Sequence, residues 1–362
     1  MNSRIIAVVV TFLLLAVVGV RLAGAAEWEH ALTPRPQGLK TAAFKLYVPE
    51  SAKIVRTILL VHGHQGGSNL YGATPDTDVK GFNVGWRDLA DEESCALLLT
   101  NVFYTDTPSP EPELYRRQTP IGVGAIEAAI EALAEKSGHP ELRHAPWVTA
   151  GLSWGGRQAF EYAKARPAKC LGFIPIHGWL DHPNDTDYAK GLALEDAEGA
   201  FTVPGLFSIA DGDGVLAPMT PIVLKARARG ARWAAAIEAR TPHHRLGNQP
   251  FPKFWIRRLL ALRLPDDYEA QVMKGPVKLK ELSEESGWLG VMNVEEKPAG
   301  QSRLSPPSTL KQLRVTAAEI HSFAAFPAER GAAHWLPDAE TARAWHKFVS
   351  EGTIRRDEDL PK

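Results

Sequence analysis

A dominant charge is the first thing this chain lacks. Its 362 residues carry 41 Lys and Arg against 42 Asp and Glu, a net charge of −1. No field of either sign is available to hold a polyanion, so nucleic acid drops out as a partner. Cysteine is almost missing as well, with only Cys95 and Cys170 present. That excludes a disulfide-dense scaffold and leaves room for one bridge at most. Internal repeats and low-complexity tracts are absent. What remains is 44% hydrophobic and 23% charged residues, the mixture of an ordinary globular protein with one large domain or two small ones.

Residues 1–26 stand apart from this mixture. Arg4 precedes the uninterrupted apolar run "IIAVVVTFLLLAVVGV", and "RLAGAA" closes it with Ala23, Ala25 and Ala26. A positive charge, an apolar run and small residues form the order of a secretory signal, with cleavage expected after Ala25 or Ala26. The run is also long enough to be read as an uncleaved anchor. In either case the folded part is expected outside the cytoplasm, secreted or periplasmic, with no membrane partner unless the signal stays on. No cysteine follows the run that could carry a lipid.

Beyond residue 40 short apolar runs alternate with helix-like stretches. "TILLVHG" (57–63), "CALLLTNVF" (95–103), "WVTAGLS" (147–153), "KCLGFIPIHG" (169–178), "PGLFSIAD" (204–211) and "RWAAAIEA" (232–239) read as strands. Helices are expected over 83–94, 120–138, 155–166, 218–229 and 251–263. For 120–138, Thr119 is the expected cap and Pro120 the first residue. The proline-rich text from Tyr104 to Pro120 reads as a loop. Strands alternating with helices imply an α/β fold, a mostly parallel central sheet with helices on both faces. After Pro265 the alternation fades. Residues 266–362 are expected as a C-terminal extension packed on a core of 27–265, ending in a helix from about Asp338 that carries Ala342, Trp345 and Phe348 on one face.

One segment concentrates the chemistry. In "VTAGLSWGG" (148–156), Ser153 sits between a strand and a helix in the pattern G-x-S-x-G, made by Gly151, Ser153 and Gly155. A serine on so sharp a turn stands exposed above the sheet as a nucleophile, and its neighbours at the glycine positions must be small. The N–H of Trp154, at the helix start, can stabilise an oxyanion. A serine hydroxyl needs a histidine to take its proton, and a carboxylate usually orients that histidine. "GLFSIADGDG" supplies Asp211 and Asp213 directly after a strand. "RTPHHRLG" supplies His243 and His244 after the next one. The order Ser, Asp, His is that of a nucleophile elbow's partners.

These motifs resemble the α/β-hydrolase superfamily over residues 40–265. The likeness is greatest to secreted bacterial serine esterases of the dienelactone-hydrolase, polyhydroxybutyrate-depolymerase and feruloyl-esterase kind. "LLVHGHQGG" is similar to the oxyanion loop after that family's third strand, "GLSWGG" to its elbow, and "FSIADGDGVLAP" to its acid loop. The resemblance implies catalytic roles for Ser153, for Asp213 in preference to Asp211, which still belongs to the strand end, and for His243 or His244. It also implies a second oxyanion donor from His64 or Gln65. The histidine match is looser, because the text is Pro-His-His where the family commonly has Gly-His. His62 and His64 form H-x-H, but no third or fourth ligand lies nearby, so no metal is expected and no cofactor is required. His177, Trp179, Trp154 and Trp86 are candidates to line the pocket.

The family's strand order also places two other strands between those starting at Cys95 and Cys170, which sets them about 14 Å apart across the sheet. A disulfide needs Cα atoms within roughly 7 Å, so two buried free thiols are expected. The function implied is an exported serine hydrolase acting on a small-molecule or polysaccharide-linked ester through an acyl-enzyme. The stretch between 178 and 204 is too short for a large lid, which favours an open cleft. A peptidase of prolyl-oligopeptidase type shares the elbow but usually carries a large additional domain. A non-catalytic binding protein on the same fold is the reading from another class.

Overall fold

The computed structural model describes residues 26–62, 86–105, 112–178, 197–211, 219–239, 250–298, 311–327 and 329–351. The stretch read as a leader lies outside them up to residue 25. Among the described residues no helix is long and apolar enough to cross a membrane.

Eight strands form the main sheet: β1 (Ala26–Ala31), β2 (Leu39–Val48), β3 (Ile58–His62), β4 (Ala96–Tyr104), β5 (Trp147–Leu152), β6 (Cys170–Ile176), β7 (Gly205–Ala210) and β8 (Trp233–Glu238). Their spatial order is β1-β2-β4-β3-β5-β6-β7-β8. β1 with β2 and β2 with β4 run antiparallel, and every pairing from β4 to β8 is parallel. Every residue of β3, β5, β6, β7 and β8 is buried. Covered on both faces, such strands read as continuous apolar runs, which is why each was visible as one. β2 instead has exposed and half-exposed positions at Lys40, Thr41, Ala43 and Lys45, as a strand near the sheet's margin does.

The helices are α1 (Trp86–Glu93), α2 (Pro112–Ser137), α3 (Trp154–Ala165), α4 (Met219–Arg227), α5 (Pro250–Arg263), the short α6 (Tyr268–Val272) and α7 (Ala339–Glu351). α2 corrects the sequence reading. It starts at Pro112, not at Pro120, and Pro120 lies inside it. Pro112 takes the first position, where its missing N–H is no loss. The following "ELYRRQ" is rich in good helix formers, so the helix persists through Pro120 although an interior proline costs about 3 kcal/mol or more. Thr119 is therefore no cap. Its hydroxyl donates to Glu161 Oε2 of α3 at 3.4 Å, joining the two helices.

Between α3 and the sheet lies an aromatic cluster. The ring of Trp233 (β8) meets Phe160 (α3), Phe173 (β6), Phe201 and Phe207 (β7) at centroid separations of 5.8, 5.7, 5.4 and 5.3 Å. The first three are edge-to-face and the pair with Phe207 is tilted, and aromatic pairs of this kind are worth about 0.5–1.5 kcal/mol each beyond the area they bury. They lock the helix that follows Ser153 onto three strands at once.

The faded alternation after Pro265 hides a second, antiparallel sheet: β9 (Trp288–Pro298), β10 (Lys311–Ser322) and β11 (His334–Leu336), ordered β10-β9-β11. Trp335 and Trp345 are fully buried, and Ala342 and Phe348 are buried with them. The Phe348 ring stacks on Phe251 of α5 at 5.2 Å. Cys95 and Cys170 are free and buried, and β3 and β5 separate β4 from β6, as the family's strand order implies. Burial pushes the Cys170 thiol up to about 12 and the Cys95 thiol higher still.

Candidate active site

Ser153 joins β5 directly to α3 and is fully buried, where the motif predicts an exposed hydroxyl: the elbow is in place, but the side chain is covered. Its φ of 58° and ψ of −117° lie in a region that a residue with a β-carbon seldom adopts. The surroundings hold it there. Ser153 N donates to Ile176 O of β6 at 2.9 Å, and Ser153 O accepts from Gly156 N at 2.9 Å and from Arg157 N at 3.3 Å. A β-carbon on Gly151 would collide with the main-chain carbonyl of Gly155, so the two glycines of the motif touch across the turn. One on Gly178 would stand 2.9 Å from both Gly156 Cα and Ser153 O, so the chain leaving β6 also needs a glycine where it passes the elbow. Trp154 is the first residue of α3. Its N–H belongs to the first turn, where helical donors have no carbonyl four residues back inside the helix.

Three ionisable groups gather at the ends of β6, β7 and β8. His177, directly after β6, is fully buried at a φ of 43°, with its N–H donating to Ser208 O at 2.8 Å. Its Nε2 lies 3.4 Å from Oε2 of Glu238, the last residue of β8. Asp211 directly follows β7 and is buried. Its N–H donates to Glu238 O at 3.0 Å, which continues the ladder with β8 by one residue past the assigned strand. That matches the reading of Asp211 as strand end. Glu238 was not singled out from the sequence, although one signal was there: it is the only charged residue in the apolar strand "WAAAIE".

His62 ends β3, just before the segment read as the oxyanion loop. Its Nδ1 lies 2.6 Å from Thr100 Oγ1, and the Thr100 hydroxyl donates to Val61 O at 3.4 Å. The threonine then accepts from the histidine, which places the ring proton on Nδ1. Burial lowers the His62 pKa to about 3, so the ring is neutral. Tyr162 of α3 meets it edge-on at 4.9 Å. Trp86 is buried at the start of α1 and is not available to stack on a substrate ring, because α1 turns this face to the core. Asp213, His243, His244, His64, Gln65 and Trp179 lie outside the described residues. Among the described residues no group of three His, Cys, Asp or Glu could hold a metal ion.

No sequence-family model matches the chain, and no curated protein matches it. Solved structures similar to it include esterase PE8, at 12% identity over 57% of this chain and 94% of that one, with a TM-score of 0.41. Poly(aspartic acid) hydrolase-1 from Sphingomonas sp. KT-1 is similar at 14% identity over 60% and 94%, with a TM-score of 0.41. Dienelactone hydrolase from Anabaena variabilis ATCC 29413 is similar at 16% identity over 65% and 94%, with a TM-score of 0.40. Likeness at this level carries no argument about activity. The strand order, the antiparallel β2 and the strand–serine–helix turn after β5 give this chain the α/β-hydrolase fold.

Proposed function

We propose that the protein is an exported serine hydrolase that cleaves carboxylic esters. The observation that carries this reading is the backbone of Ser153: a β-carbon residue held at positive φ between β5 and α3. Strain of this kind persists only where the surroundings over-determine it, and a plain connection would relieve it with glycine at that position. In the proposed mechanism Ser153 Oγ attacks the ester carbonyl while His243 or His244 takes its proton, and Asp213 orients the imidazole. The oxyanion is held by the N–H of Trp154 and by that of His64 or Gln65. The imidazolium returns the proton to the leaving alkoxide, and water then hydrolyses the acyl-enzyme by the same steps. His177 lies beside the elbow in this reading, buried against Glu238. Residues 1–26 are the export signal, 27–265 the catalytic domain and 266–362 an extension built onto it.

Turnover of a panel of short acyl esters, aryl-carbohydrate esters and aminoacyl amides tests the proposal, with Ser153→Ala as control. Ester cleavage by the wild-type chain should fall by at least about a thousandfold in the variant, the scale of loss when a triad member is removed. Preference for the amides would point to a peptidase instead, and activity on no arm would favour a binding protein.

A further inference from the structure

Two strained residues meet at the elbow. Among the described residues, Ser94, Ser153 and His177 are the non-glycine residues at positive φ, and the last two adjoin each other. Ser153 N donates at 2.9 Å to the carbonyl of Ile176, the residue before His177. Gly178, the residue after it, packs so closely on Gly156 and Ser153 O that it has no room for a β-carbon. The elbow is thus seated on residues 176–178, with His177 in the middle. Its φ of 43° is one that glycine adopts without strain, yet the chain places a histidine there. That ring is fully buried, and its Nε2 lies 3.4 Å from Glu238 Oε2. Glu238 is the only charged residue of β8, and its side chain is 10% exposed. A carboxylate so little hydrated is unfavourable unless a partner offsets the loss of water. A strained histidine and a buried carboxylate are each unfavourable alone, and here they pair beside the proposed nucleophile. Backbone strain clusters where it is part of a site's working geometry.

We propose that His177 and Glu238 are positioning residues for the nucleophile: their pair pins the strained main chain at 176–178, on which the Ser153 elbow is seated. The proposal rests on the serine-hydrolase reading above. The tie runs across three strands. His177 N donates to Ser208 O of β7 at 2.8 Å, and the Glu238 side chain reaches His177 from β8, on the far side of β7. Both side chains are buried, so neither touches substrate in this scheme, and they act through the backbone that carries Ser153. Catalytic groups must stay within about 0.5 Å of their productive geometry, and a shift of about 1 Å can cost about 100-fold in rate. Without the pair, residues 176–178 relax toward unstrained backbone and Ser153 Oγ moves with them. Substrate contacts made elsewhere are untouched, so the loss falls on kcat and spares KM.

The test uses full-length protein and a double-mutant cycle. His177→Asn supplies a residue tolerant of positive φ but too short to reach Glu238, and Glu238→Ala removes the carboxylate. On the best ester of the panel, each single variant should lose at least about 10-fold in kcat, with KM within about threefold, as for a displaced catalytic group. The double variant should fall no more than about threefold below the slower single variant, because both changes break one tie. The rate at which a fluorophosphonate labels Ser153 should fall in step with kcat. An unchanged kcat in either folded single variant, an effect on KM alone, or losses that multiply in the double variant would overturn the proposal. If Glu238→Ala or the double variant does not fold, His177→Gly decides beside His177→Asn. Glycine takes the φ of 43° without strain, so the turn is kept and only the ring is lost. Both variants should then lose at least about 10-fold in kcat, and a kcat within about threefold of wild type in either would overturn the proposal. A wild-type chain inert to both ester and fluorophosphonate would instead fail the serine-hydrolase reading, and the positioning role with it.

Discussion

Gly151 and Gly155 approach so closely that neither main chain can move without reopening the elbow. Gly151→Ala would drive its methyl into the Gly155 carbonyl, which is backbone and not the yielding end of a side chain. The expected outcome is a stability loss of about 1–3 kcal/mol, the range for overpacking, together with a drop in ester turnover of about 100-fold as Ser153 shifts. Urea denaturation and steady-state kinetics on the same sample check it. The two effects should appear together, because one collision causes both. The motif was legible because this constraint is local: small residues on both sides of a serine, a strand before and a helix after. The pairing of His177 with Glu238 was not, since it depends on β6 and β8 flanking β7, and no spacing in the sequence encodes that.

At the scale of elements, α3 keeps a buried charge network on the turns that follow the elbow. Glu161 is ion-paired with Arg157, Oε1 to Nη2 at 2.6 Å, and with Lys164, Oε2 to Nζ at 2.7 Å, and the Thr119 hydroxyl of α2 reaches the same carboxylate. Burial opposes ionisation of Glu161, but the charges of Arg157 and Lys164 outweigh it and hold the carboxyl below its usual range. A depressed carboxylate stabilises the fold above its unfolded pKa, and that contribution is lost as pH falls through the folded value. Glu161→Gln removes the charge while leaving Arg157 buried, and breaking a buried pair in this way costs about 3–5 kcal/mol. Equilibrium denaturation at neutral pH should show the loss, and the deficit relative to wild type should shrink as the pH is lowered into the carboxylate range. Helix α3 was legible, but its link to α2 was not. Reading Thr119 as a cap and Pro120 as a helix start rested on a local rule that the helix-forming residues 113–118 override.

For the whole molecule, legibility followed burial. The strands covered on both faces stood out as apolar runs. β9 and β10, with exposed residues such as Asn293, Glu295, Arg314 and Glu319, gave no run to recognise. Burial also governs the response to acid. His62 and His334 are both fully buried with pKa values lowered to about 3, His62 by desolvation and His334 by desolvation aided by the nearby Arg227 charge. In the unfolded chain both would titrate near 6.5. Below that pH the unfolded state binds protons that the folded state does not, so stability is fully present above pH 6.5 and declines toward pH 3. The decline should approach about 1.4 kcal/mol per pH unit for each histidine. His334→Gln should flatten the slope measured by urea denaturation between pH 6 and 4. An unchanged slope would mean that His334 protonates in the folded state.

The central claim is that Ser153 is a nucleophile. The most direct measurement is the mass of the intact chain, and of its peptides, after reaction with a fluorophosphonate. The account predicts one adduct per chain, on the peptide containing Ser153, formed in step with the loss of ester turnover and absent from Ser153→Ala. An adduct on another residue, or turnover that survives complete labelling of Ser153, would contradict it.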